Sequence, residues 1–181
     1  MQRYLINNIV ISILIISLFV AYDIQNQQRY IESKVRVELL SSAEGNLQLQ
    51  EDPRVVRLRS FFKKFGSPLE NNAEVFTEVA DKYQIDYRLL PSIAMVESSG
   101  GKHTPSCARY NPFGWTSLTS PCGFWRFVSF DEAVRYVAKE ISTSSYYSDF
   151  RKEGSIKELS ESYNHGSKKW AGDVEFFLNQ I

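Results

Sequence analysis

The chain has 181 residues, room for one domain of ordinary size plus an appendage, and its 43% apolar and 14% aromatic content is enough for a real core. Basic and acidic residues number 21 each. With Arg3 set apart the rest carries 20 against 21, which argues against nucleic acid as the main partner, because phosphate binding needs a basic surplus. Two cysteines, Cys107 and Cys122, and two histidines, His103 and His165, stand at no metal-ligand spacing, so no metal and no cofactor is expected.

Leu5 to Tyr22 is apolar apart from Asn7, Asn8, Ser12 and Ser17, and it holds no charge. Its 18 residues are at the lower limit for a helix that spans a bilayer. Residues 1–22 therefore read as a transmembrane signal-anchor; the apolar core of a cleaved secretory signal and a buried core helix are the alternatives. Cleavage is disfavoured because Phe19 stands where the pattern ending at Ala21 wants a small residue. Either membrane reading makes residues 23–181 extracytoplasmic, as a single-pass protein of the cell membrane or, after cleavage, a secreted one. In an oxidising compartment Cys107 and Cys122 are expected to pair across a loop of about 15 residues, worth roughly 3 kcal/mol on the loop-entropy view. The alternative is two buried thiols.

Residues 23–53 are polar, with Ile24, Ile31, Val35 and Leu39 at loose helical spacing, and read as a partly helical stalk. Val55, Leu58, Phe62 and Phe65 make a helical stripe backed by Arg54, Arg57, Arg59, Lys63 and Lys64, a face that is either solvated or laid on an anionic lipid or polymer. Ser67-Pro68-Leu69-Glu70 reads as a capping box, followed by the buried stripe Leu69, Ala73, Phe76, Ala80 and Tyr83. Asp86 caps the next helix. That helix, in the stretch LLPSIAMVESSGG from Leu89 to Gly101, places Leu90, Ile93, Ala94 and Glu97 on one face. Desolvation on an apolar face, and the negative end of the helix dipole, both favour a protonated Glu97, the form a general acid requires. An ordinary surface Glu at a helix end is the competing reading.

Lys102 to Val128 reads as structured loop with a short β-hairpin around 115–128, and from Ser98 to Phe130 there is no Asp or Glu. Trp115 and Trp125 are the candidates for stacking on sugar rings; packing beneath the loops is the alternative. Ser129 to Glu132 and Ser155 to Glu158 repeat the capping box, ahead of stripes at Val134, Val137, Ala138 and Ile141 and at Ile156, Leu159 and Tyr163. Trp170, Val174, Phe177, Leu178 and Ile181 mark an amphipathic final helix. Five or six helices predict a mostly α domain over 54–181.

Three segments together resemble the lysozyme-like superfamily in its peptidoglycan-cleaving branches. Glu97-Ser98 resembles the Glu-Ser motif of lytic transglycosylases and goose-type lysozymes, in which the Glu is the general acid. Asn111-Pro112-Phe113-Gly114-Trp115 resembles the Asn-x-Phe-Gly segment of bacterial glucosaminidases, and Tyr163-Asn164-His165-Gly166 the Tyr-Asn-x-Gly segment of the transglycosylases, where the Tyr lies near the Glu. Ser67 through Lys102 is also similar to glucosaminidase-type domains behind a membrane anchor. The resemblance covers 54–181; its order and intervals of about 14 and 50 residues are more specific than any one motif.

It implies a lysozyme-like helical domain that cleaves β-1,4 bonds of peptidoglycan glycan strands. Glu97 and Tyr163 would be catalytic, and Ser98, Asn111, Phe113, Gly114, Trp115, Trp125 and Asn164 would bind substrate. Glycosidases ordinarily use two carboxyl groups. Asp131 and Glu132 are explained as helix-start residues, and Glu161 points away from Tyr163, so the chain fits a mechanism with one acid. Glu97 would protonate the glycosidic oxygen, then act as base on water or on the sugar's own hydroxyl. Tyr163 and Ser98 would hold the Glu, or the substrate acetamido group, by hydrogen bonds. Hydrolase and transglycosylase both remain open, and a non-catalytic wall-binding module is the competing class.

Overall fold

The computed structural model describes residue 17, residues 20–38 and residues 51–181. The chain divides into two compact units, Met1–Gln50 and Glu51–Ile181. In the first, residues 20–38 form helix α1, on which Val20, Tyr22, Ile24, Tyr30, Ile31 and Val35 are exposed. The expected anchor over 1–22 falls outside the described residues except for Ser17 and positions 20–22, and among the described residues no helix is long and apolar enough to cross a membrane.

The second unit is mostly helical. Its α-helices are α2 (Pro53–Lys64), α3 (Ala73–Tyr83), α4 (Leu89–Ser98), α5 (Phe130–Thr143), α6 (Ser148–Glu153), α7 (Ile156–Tyr163) and α8 (Lys168–Leu178). Short 3-10 turns lie at Pro68–Asn72, Ser106–Ala108 and Ser145–Tyr147. The number exceeds expectation because α6 has six residues and buries only Phe150, too little for a periodic stripe. Local chemistry starts these helices where the capping residues stand. Ser129 accepts from the Glu132 N–H, Ser155 from the Glu158 N–H and Ser167 from the Trp170 N–H. Ser67 caps as well, but it caps the 3-10 turn, and α3 begins only at Ala73. Asp86 accepts from the Arg88 N–H, so it holds the turn ahead of α4 rather than its first residue.

Helix α4 is the centre of the unit. Leu89, Leu90, Ile93, Ala94 and Met95 are all buried, so the helix is covered nearly all round rather than on one stripe. Each Leu or Ile buried this way contributes about 1.5–3 kcal/mol. It packs on α8, while α3 packs on α5 and α2 on α3. The helix ends on Ser99 in the left-handed region (φ 53°), and the Gly100 N–H then bonds the Ala94 carbonyl at 2.9 Å. A Cβ on Gly100 would meet Ser67 Oγ at 2.7 Å, which ties the stop to the capping serine of the preceding turn. The loop after α4 holds the Cys107–Cys122 disulfide. The expected hairpin is reduced to one antiparallel bridge, Thr116 with Phe124, flanked by a bond from the Trp125 N–H to the Trp115 carbonyl at 2.8 Å.

Candidate active site

Glu97 stands in the last turn of α4 and is half-buried. Burial pushes its carboxyl above the ordinary value of 4.5, and a hydrogen bond from the Trp170 indole N–H to Oε1, 2.6 Å long, pulls in the opposite direction. Burial dominates, so the protonated form is favoured beyond what an exposed Glu shows. The indole can only donate. Oε1 therefore offers a lone pair to the indole, which leaves Oε2 free to carry the proton of the acid form.

Oε2 faces Gly114. That residue has φ 62°, and a Cβ added to it would lie 2.9 Å from Oε2. Three side chains hold the loop in this close approach. Ser98 Oγ donates to the Pro112 carbonyl at 2.7 Å and accepts from the Gly101 N–H at 2.8 Å. Tyr163 donates to the Phe113 carbonyl at 2.8 Å. Asn111 donates from Nδ2 to the Trp115 carbonyl at 2.8 Å and the Trp125 carbonyl at 3.1 Å, and accepts from the Trp115 N–H at 2.9 Å. Ser98, Asn111 and Tyr163 thus spend their polar atoms on backbone, and what they place is the loop that covers the acid. Phe113 is buried between these anchors. Asn164 is the C-cap of α7.

The aromatic candidates form one continuous train. Trp170 stacks on Tyr163 at 5.1 Å, and Tyr163 meets Trp115 edge-on at 5.9 Å. Trp115 meets Tyr136 edge-on at 5.9 Å, and Tyr136 stacks on Trp125 at 5.0 Å. Trp125 is 38% exposed. Burial, followed by the charge on Glu97, drives the Tyr163 hydroxyl well above the usual tyrosine value, and it stays a neutral donor at any physiological pH.

A cleft of about 450 Å³ opens beside this group. Phe113, Gly114, Trp115 and Tyr163 are in its wall; Glu97 is not, and lies against Gly114. A cavity of about 510 Å³ at the other end of α4 has Leu89 in its wall and none of the candidate residues. No protein-family model matches the chain, and no curated protein does either.

Two participants escaped the sequence. Trp170 reads there as one apolar position of a helical stripe, and the signal available was general: a buried indole N–H needs an acceptor and a buried carboxyl needs a donor. Glu140 lies in the cleft wall with Tyr146 and Tyr147, so Glu97 is not the sole carboxyl in this neighbourhood. Its signal was its place four residues after Tyr136, on the flank of the α5 stripe. Glu161 lies away from the acid, with its carboxylate against Gly166. His103 is exposed, and its N–H bonds the Ser98 carbonyl at 3.0 Å.

Proposed function

We propose that residues 51–181 are a lysozyme-like domain that cleaves the β-1,4 glycan of peptidoglycan, held at the outer face of the cell membrane by the amino-terminal segment, with Glu97 as general acid and then base. The observation that carries this reading is the half-buried Glu97, raised above its ordinary titration range, beside an aromatic-walled cleft. In the first step the Oε2–H bond breaks, its proton goes to the glycosidic oxygen, and the bond from that oxygen to the anomeric carbon breaks with its electron pair on the oxygen. Glu97 is now a carboxylate. The Trp170 N–H bond to Oε1 becomes charge-assisted at that moment, so it stabilises the product of proton transfer more than the reactant. In the second step the oxygen of water, or of the sugar's own hydroxyl, bonds the anomeric carbon as its O–H bond breaks and the proton returns to Glu97; water yields a reducing end and the hydroxyl an anhydro sugar.

Purified cell walls test this. General acid–base catalysis contributes roughly 10²–10⁴-fold, so Glu97→Gln should cut clearing by about a hundredfold or more. Undiminished clearing would sink the assignment, and product masses separate hydrolysis from transglycosylation. A soluble form should begin at Glu51, because Glu51 pairs with Arg59 and Asp52 caps α2. One observation favours the non-catalytic reading, namely that Glu97 is absent from the cleft wall. That reading predicts sedimentation with peptidoglycan and no released fragments.

A further inference from the structure

Glu140 lies in the cleft wall without a counter-ion. It takes part in none of the ion pairs among the described residues, and it accepts no side-chain hydrogen bond there. It is nonetheless half-buried, so part of its hydration is lost and nothing in the protein replaces it. The wall holds no Lys or Arg, Glu140 is its one acid, and its one basic side chain is the exposed His165. Five aromatic side chains line the same space: Phe113, Trp115, Tyr146, Tyr147 and Tyr163. Tyr147 lies 5.3 Å from Tyr146 and 6.4 Å from Trp115, so the rings are close enough to act on one small ligand group together. Ring faces attract cations through their quadrupole, and the carboxylate adds a full charge. A neutral acetamido or hydroxyl group can donate a hydrogen bond to Glu140 but brings no cationic charge for the carboxylate and the ring faces to attract.

We infer that this cleft is a recognition subsite for a primary ammonium group, bound by the Glu140 carboxylate against the faces of Trp115, Tyr146 and Tyr147. This rests on the glycan-cleaving reading. Such a group reaches a wall polymer from two sources, a hexosamine that has lost its acetyl group or a free amine of the peptide stem. Either source would direct cleavage toward modified or uncrosslinked stretches of the polymer, since acetylation or crosslinking removes the charge.

The test uses the full-length chain carrying Glu97→Gln, which separates binding from turnover. Four probes are titrated at about pH 6, where the amine is protonated and an ordinary Glu is ionised. They are a β-1,4 tetramer of glucosamine, the tetramer of N-acetylglucosamine, and a muropeptide with its stem amine either free or acetylated. A charge-assisted contact predicts about tenfold tighter binding of the amine in at least one pair. Adding Glu140→Gln should abolish that preference and leave the acetylated probe unchanged, which also verifies that the variant is folded. The pair that shows the preference identifies the source of the ammonium. Equal binding within both pairs, or a preference that survives Glu140→Gln, overturns the inference while the glycan reading stands. Equal weakening of both members of a pair by Glu140→Gln overturns it too, and assigns Glu140 to neutral sugar groups. If no probe binds at all, the glycan reading falls and the inference with it.

Discussion

Gly114→Ala tests the placement of the acid directly. The substitution adds two separable costs. The first is backbone strain: φ is 62°, and an L side chain in the left-handed region costs about 1–2 kcal/mol. For a domain of this size that is a fall of roughly 4–8 °C in melting temperature. The second is contact. The new Cβ would lie 2.9 Å from Glu97 Oε2, against an ordinary lower limit of 3.4 Å, so the carboxyl must move by about half an ångström. It cannot move freely, because Oε1 is held at 2.6 Å by Trp170. Misplacement by about 1 Å can cost around 10²-fold in turnover, and half of that predicts a loss of about tenfold. Gly154→Ala supplies the control, since its φ is 70° and nothing lies within 4 Å of the added Cβ. It should show the fall in melting temperature alone. Both variants would be assayed for wall clearing, for melting temperature, and for the Trp170 indole N–H resonance by NMR. If Gly114→Ala clears walls within twofold of Gly154→Ala and leaves the indole resonance in place, Glu97 is not held against Gly114.

Trp170→Phe keeps the stack on Tyr163 but removes the donor to Oε1, so the Glu97 titration should move further up and the alkaline limb of the pH–rate profile with it; an unmoved limb would mean the bond has no electrostatic effect. Glu97→Gln should stabilise the fold near pH 7. Burial raises the folded titration above 4.5, so the ionised Glu costs stability at pH values above its folded value, and the gain should fade as pH drops below 4.5; melting curves across pH check the sign. Reducing the Cys107–Cys122 bond should cost about 3 kcal/mol, read as a shift in denaturant midpoint, and should loosen the Asn111 loop before it loosens α4.

The helices were legible in the sequence because their apolar residues recur at the helical period and polar caps precede them. Ser129, Ser155 and the stripe through Val134, Val137 and Ile141 are cases where local signal and tertiary structure agree. Glu97 was legible for the same reason, as a charge on a face that the period assigns to the core. The boundary at Ser67 was misread because a 3-10 turn uses the same capping serine as an α-helix, and only the contact of Gly100 with Ser67 distinguishes them. Roles were harder to read than positions. Ser98, Asn111 and Tyr163 stand where a substrate contact was expected, yet each bonds a backbone carbonyl of the segment 112–125. A residue type and a spacing do not say whether a hydroxyl faces a ligand or the chain.

The site is held together by long-range contacts. Glu97 and its donor Trp170 are 73 residues apart, and Tyr163 reaches Phe113 across 50. The first joins the end of α4 to α8, on which α4 packs, and the second ties the end of α7 to the loop that covers Glu97. The packing of α4 on α8 therefore serves two ends at once: it buries Ile93 and Val174, and it brings the indole N–H to the carboxyl. Burial alone would leave Glu97 a weak acid that resists giving up its proton, while the indole bond alone would leave it ionised and unable to donate. The chemistry needs both, in the proportion that the α4–α8 contact sets. Core substitutions in α8, such as a shortened Val174, should shift the Glu97 titration without touching the cleft, and the acid should fail in solution before the fold does.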